Sequence, residues 1–127
     1  MEFQYDPQHR RLVEGWNIIC LKGEDRIGLT ADEYNELAGD FINNTMFAEA
    51  EECCNRGIRL GSVRSIALLG LIREKQGKTE EAYQLYLEAA LAGDRAGIRS
   101  LSDLYKSGAY VEQDPERAEM LRKIIEP

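Results

Sequence analysis

Residues 50 to 81 and 82 to 117 are rough copies of each other in their small and apolar positions, and this self-similarity restricts the chain to very few architectures. Ala50 aligns with Ala82, Cys53 with Leu85, Cys54 with Tyr86, and Gly61-Ser62 with Gly93-Asp94. Further on, Ile66 aligns with Ile98, Leu69 with Leu101, Gly70 with Ser102 and Ile72 with Leu104, and Ala118 opens a further copy. The spacings, 32 residues from Ala50 to Ala82 and 36 from Ala82 to Ala118, lie in the range of helical hairpin repeats. One such unit cannot bury its apolar face alone, so it must stack on neighbours.

The apolar spacing between the turns is helical throughout. Asp6-Pro7 starts a helix over about 7 to 20, with Leu12, Val13, Trp16, Ile19 and Cys20 on one face. Thr30-Ala31-Asp32-Glu33 reads as a capping box, and Tyr34, Leu37, Ala38, Phe41 and Ile42 form the stripe of a second helix. Asn43-Asn44-Thr45 is turn chemistry. Phe47, Ala50, Cys53, Cys54 and Ile58 mark a third helix, and Ile66, Leu69, Gly70 and Ile72 a fourth. Ala82, Leu85, Tyr86, Ala89 and Ala90 follow at i, i+3, i+4, i+7 and i+8, and Ile98, Leu101, Leu104 and Tyr105 form a sixth helix. Asp114-Pro115 starts a seventh, with Ala118, Leu121, Ile124 and Ile125 on its buried side. Gly61 and Gly93 suit the left-handed residue after a helix. Gly70 and Ser102 lie inside helices, where a small residue predicts another helix backbone passing close by.

Composition narrows the function classes. A length of 127 residues suits one domain with a core of its own. The net charge is −7 and the sequence pI about 4.8, which disfavours nucleic acid and anionic membranes as partners. No apolar run approaches a bilayer span, and MEFQYDPQHRR does not read as a secretory leader, so a cytoplasmic protein is expected. Cys20, Cys53 and Cys54 do not form a disulfide framework, and the last two sit where the other copy has Leu85 and Tyr86, which makes them core residues. With His9 as the single histidine, no H-x-x-x-H or C-x-x-C spacing and no phosphate-binding loop, the chain is expected to be neither an enzyme nor a holder of metal or cofactor.

Residues 82 to 118 resemble a Sel-one-like repeat, a variant of the tetratricopeptide unit with a longer connection. The matching residues are Ala82, Leu85-Tyr86, Ala89-Ala90, Gly93-Asp94, Leu101, Leu104-Tyr105, Gly108, Val111, Asp114 and Ala118. Residues 50 to 82 match less closely: Cys53-Cys54 replaces the aromatic pair, Arg73 stands where Tyr105 stands, and the Gln76-Gly77-Lys78 connection is that of an ordinary tetratricopeptide turn. The resemblance implies a short right-handed superhelix of antiparallel hairpins that presents a groove to another protein, as an adaptor, scaffold or chaperone. On this reading the chain is one domain over 1–127. Residues 1–45 form N-terminal helices or a degenerate repeat, 46–81 and 82–117 two repeats, and 118–127 a capping helix.

Charge is unevenly placed. Between Arg26 and Arg56 there is no lysine or arginine, while Asp32, Glu33, Glu36, Asp40, Glu49, Glu51 and Glu52 all lie there. Asp32, Glu36 and Asp40 share a helix face at i, i+4 and i+8, either as a patch that steers a basic partner or as a solvated face. Arg64, Arg95 and Arg99 stand at or near the starts of second helices, as groove-wall contacts or ordinary surface pairs. Tyr83, Leu87 and Leu91 make a second apolar line that packs on a neighbouring repeat or meets a partner. The candidate partner-binding set is therefore Asp32, Glu36, Asp40, Asn55, Arg64, Tyr83, Leu87, Arg95 and Arg99. The expected function is non-catalytic binding of a peptide or protein in a bacterial cytoplasm. The alternative is an acidic immunity-type inhibitor of a basic toxin, and an enzyme is the least favoured reading. Nothing in the sequence sets the oligomeric state.

Overall fold

The computed structural model describes residues 29 to 126, so the expected helix over 7 to 20, with Trp16, lies outside the described residues. Six helices and no strand occur among the described residues, rather than the seven helices expected for the whole chain. They are α1 (Ala31–Asn43), α2 (Phe47–Arg59), α3 (Val63–Lys75), α4 (Thr79–Leu91), α5 (Arg95–Ser107) and α6 (Pro115–Ile125).

The regularity is tighter than the sequence copies suggest. Helices α1 to α5 are each 13 residues long, and each begins 16 residues after the last. The cause is one turn used four times. After α2, the Ser62 amide donates to the Gly57 carbonyl (3.0 Å) and the Gly61 amide to the Ile58 carbonyl (2.9 Å), with Gly61 at φ +89°. The same pair of bonds closes α3 through Gly77 and α4 through Gly93. This is the Schellman arrangement, which satisfies otherwise orphaned carbonyls and needs a left-handed residue. At the end of α1 the left-handed residue is Thr45, at φ +56°, with Met46 donating to Phe41 (2.8 Å) and Thr45 to Ile42 (3.0 Å). A β-branched residue is disfavoured there because its Cβ crowds the backbone.

The chain divides into two compact units, one ending at Ser62 and the other beginning at Val63. The expected repeat over 46–81 thus has its first helix in one unit and its second in the other. In the first unit, α1 packs on α2 across a three-residue turn. The turn before α1 is the expected capping box: the Thr30 hydroxyl accepts from the Glu33 amide (3.2 Å), and the Glu33 carboxylate accepts from the Thr30 amide (3.1 Å). Leu37 and Ala38 are sealed from solvent, as are Ala50, Cys53 and Cys54 across the interface. Burying these surfaces is what holds so short a helix pair, since isolated helices of this length are marginal in water.

In the second unit α3 pairs with α4, α4 with α5, and α5 with α6. Packing of consecutive pairs is in keeping with a helical hairpin repeat. The core is Ala82, Tyr86, Leu101, Leu104, Tyr105 and Ala118, with Tyr83, Leu87, Ala90, Val111 and Leu121 packed around it. Asp94 caps α5 by accepting from the Gly97 amide (2.8 Å), and Asp114 caps α6 through the Arg117 amide (3.0 Å).

Small residues give close approach, but not always for the expected reason. At Gly70 the neighbour is the Tyr86 ring rather than a helix backbone: an added Cβ would lie 2.7 Å from Cε1 and 2.8 Å from Cδ1. At Ser102 a backbone does pass close by, since its hydroxyl donates to the Ala118 carbonyl at 2.7 Å. A close backbone approach also occurs at Gly97, which the sequence reading passed over; a Cβ there would meet the Ala90 amide nitrogen at 3.0 Å and Ala89 Cβ at 2.8 Å. One apolar assignment also changes: Ile124 is 66% exposed instead of buried. Leu91, in the second apolar line of α4, is 81% exposed.

Two outcomes follow from these turns and contacts. Thr45→Gly should raise stability by about 1 kcal/mol, read as an increase in Tm, because glycine enters the left-handed region without crowding. A decrease would mean that the turn carries no strain. Gly70→Ala should cost about 1–3 kcal/mol through the Tyr86 ring. In a double-mutant cycle with Tyr86→Leu that cost should shrink, and additivity would separate the two residues.

Candidate functional site

The nine sequence-derived positions divide between the two units. Asp32, Glu36, Asp40 and Asn55 belong to the first unit, and Arg64, Tyr83, Leu87, Arg95 and Arg99 to the second. On α1 the acidic stripe lies opposite the packed face: Asp32 and Glu36 are exposed and Asp40 is half-buried, while Tyr34, Leu37, Phe41 and Ile42 face inward. On α2, Asn55 is half-buried, and the cations of the last turn fold back on their own helix. Arg56 meets Glu52 at 3.0 Å and Arg59 meets the same carboxylate at 3.8 Å.

The arginines of the second unit carry structural contacts. Arg64 Nε lies 3.4 Å from Asp94 Oδ1, so the carboxylate that caps α5 also holds the first turn of α3. Arg95 donates from Nη2 to the Ile125 carbonyl at 2.7 Å, satisfying one of the free carbonyls at the end of α6, where a cation also suits the helix dipole. Arg99 reaches Glu126 at 3.7 Å. Arg122 and Asp103 tie α6 to α5 at 3.0 Å. Of the two roles open to Arg64, Arg95 and Arg99, groove contact or surface pairing, each thus has a pairing within the chain.

Tyr83 and Leu87 pack against the core. The Tyr83 and Tyr105 hydroxyls meet at 3.0 Å, and their rings stand edge to face at 6.4 Å. The Arg117 guanidinium lies 5.2 Å from the Tyr105 ring centroid. The bond from Tyr83 holds the Tyr105 phenol below its ordinary value, with Arg117 adding to the effect, while the same bond raises Tyr83. Tyr86 is pushed far up, chiefly by burial and then by the bond it donates to Glu74 at 2.7 Å. Its neutral form stabilises the fold below the ordinary tyrosine range of about pH 10, and that contribution is lost as pH climbs toward the raised folded value.

A feature that sequence reasoning missed is an open cleft of about 620 Å³ between α3 and α4, lined by Leu69, Arg73, Glu80, Glu81, Gln84 and Leu85. The two leucines are only half-buried, although their repeat alignment assigned both to the core. Arg73 crosses one end, with Nε 3.1 Å from Glu81 and Nη1 donating to Gln76 at 3.0 Å. A second cleft, of about 520 Å³, sits at the α5–α6 connection against Tyr105, Val111, Asp114 and Arg117. Its lining is mostly polar. No group of three or more histidine, cysteine, aspartate or glutamate side chains placed to hold a metal occurs among the described residues, and no described helix is long and apolar enough to cross a membrane.

Arg95→Ala should speed amide exchange in the last turn of α6, over residues 122 to 126, and lower stability by about 1–2 kcal/mol, since a hydrogen bond from a charged donor is lost. Arg99→Ala should change both by much less, because its pair is solvent-exposed. Equal effects would remove the special role of Arg95. No family model and no curated protein matches this chain.

Proposed function

We propose that this chain is a non-catalytic protein-interaction module, built as a short array of Sel-one-like or tetratricopeptide-like hairpins and acting in the cytoplasm of a bacterium. The observation that carries the reading is the cleft between α3 and α4, where Leu69 and Leu85 form an apolar floor under a charged and amide rim. A floor of two half-buried leucines suits an apolar side chain of an incoming peptide or helix, and Gln84 with the glutamates offers hydrogen bonds at its edge. A cleft of about 620 Å³ takes a few side chains rather than a whole domain, so the ligand is a short segment. No cofactor enters this reading.

A second reading, neutralisation of a basic protein in the manner of an immunity protein, is favoured by the exposed acidic face of α1 in a stretch without lysine or arginine. The two differ in their dependence on salt. Binding in an apolar cleft is nearly indifferent to ionic strength, whereas association steered by Asp32, Glu36 and Asp40 slows once the Debye length falls below about 10 Å.

Panning a displayed peptide library against the intact protein should enrich sequences with an apolar anchor. Their affinity should fall at least about tenfold, or about 1.4 kcal/mol, on Leu85→Lys and again on Leu69→Lys tested separately. Circular dichroism keeps track of the fold in each variant. Peptides that bind both variants as well as the parent would rule out the cleft. Binding that vanishes in high salt and after Asp32→Lys, Glu36→Lys and Asp40→Lys together would favour the neutraliser instead.

A further inference from the structure

When α6 is aligned with α2 and α4 through Ala118, Ala50 and Ala82, one pair of outer positions changes character. These positions hold Glu52 and Arg56 on α2, Gln84 and Glu88 on α4, but Met120 and Ile124 on α6. Gln84 and Glu88 are exposed, and Glu52 and Arg56 form a salt bridge. Met120 and Ile124 are 67% and 66% exposed, so α6 shows water two large apolar side chains where the equivalent helices show polar ones. Four residues apart, they lie one above the other on the helix and make a continuous strip. Beside the strip, one residue before each, stand Glu119 and Lys123, both exposed. The flank is therefore acidic toward the start of α6 and basic toward its end.

We propose that this face pairs with the same face of a second copy of the chain, with the two α6 helices antiparallel about a two-fold axis. The charge order selects that arrangement. With the axis passing between Met120 and Ile124, Met120 of one copy meets Ile124 of the other, and Glu119 meets Lys123, each contact occurring twice by symmetry. Parallel pairing would instead put the two Glu119 and Lys123 flanks on opposite sides of the contact, where neither charge meets its partner. An 11-residue helix buries less than a standard interface, so the dimer is weak and dependent on concentration. This surface is separate from the cleft between α3 and α4, and the inference does not rest on the function proposed for that cleft.

Sedimentation equilibrium of the intact protein at low salt, over a wide range of concentration, tests the proposal. The expected result is reversible monomer–dimer exchange. Met120→Gln with Ile124→Glu, which gives α6 the side chains α4 carries, should leave a monomer with unchanged helicity and Tm. Lys123→Glu should weaken the dimer about fivefold, through two lost ion pairs, and adding Glu119→Lys should restore it. A monomer at every concentration overturns the proposal, as does a dimer that survives Met120→Gln with Ile124→Glu. A dimer indifferent to Lys123→Glu overturns the antiparallel pairing.

Discussion

The left-handed residue that follows each of the first four helices sets the geometry on which the rest depends. A helix closed by paired bonds to its third- and second-last carbonyls ends at a defined residue, and the next helix starts after a turn of three residues. With Gly61, Gly77 and Gly93 in this role and Thr45 forced into it, five helices of one length follow at one spacing. Equal lengths bring equivalent positions to equivalent places, which is why the small residues Ser65 and Gly97 match across the repeat, as do Gly70 and Ser102. Their uses nevertheless differ. Gly70 makes room for the Tyr86 ring, while Ser102 bonds the α6 backbone through its hydroxyl.

That closeness governs where charge ends up. Once the helices of the second unit lie within reach of one another, Arg64, Arg73, Arg95, Arg99 and Arg122 find carboxylates, an amide or a backbone carbonyl on a neighbouring helix or turn. For Arg64, Arg95 and Arg99 the sequence left groove contact and ordinary surface pairing open, and the structure shows each with a partner in the chain. The stretch that holds the acidic face of α1 supplies no lysine or arginine.

Much of the fold was legible from residues acting over three or four positions. The capping box at Thr30 and Glu33, the caps at Asp94 and Asp114, and the glycines ending α2 and α4 are local devices, so their residue types announce them. Thr45 was harder to read, since nothing in a threonine signals a left-handed backbone; only its place 16 residues before Gly61 does. Ile124 was misplaced because Leu121, Ile124 and Ile125 are all apolar and close in angle, and only the position of α5 decides which of them is covered. The cleft was illegible for a related reason. Leu69 and Leu85 carry a core signature, and their partial exposure depends on the arrangement of the helices around them.

The sequence by itself determined the helical class, the turn positions and the excess of negative charge, because caps, left-handed turns and composition act locally or sum over residues. Tertiary structure alone decided which apolar side chains remain in water, which arginines are committed to the fold, and where a cleft opens. Those outcomes depend on distances between helices, and a repeat pattern constrains such distances without specifying what fills them.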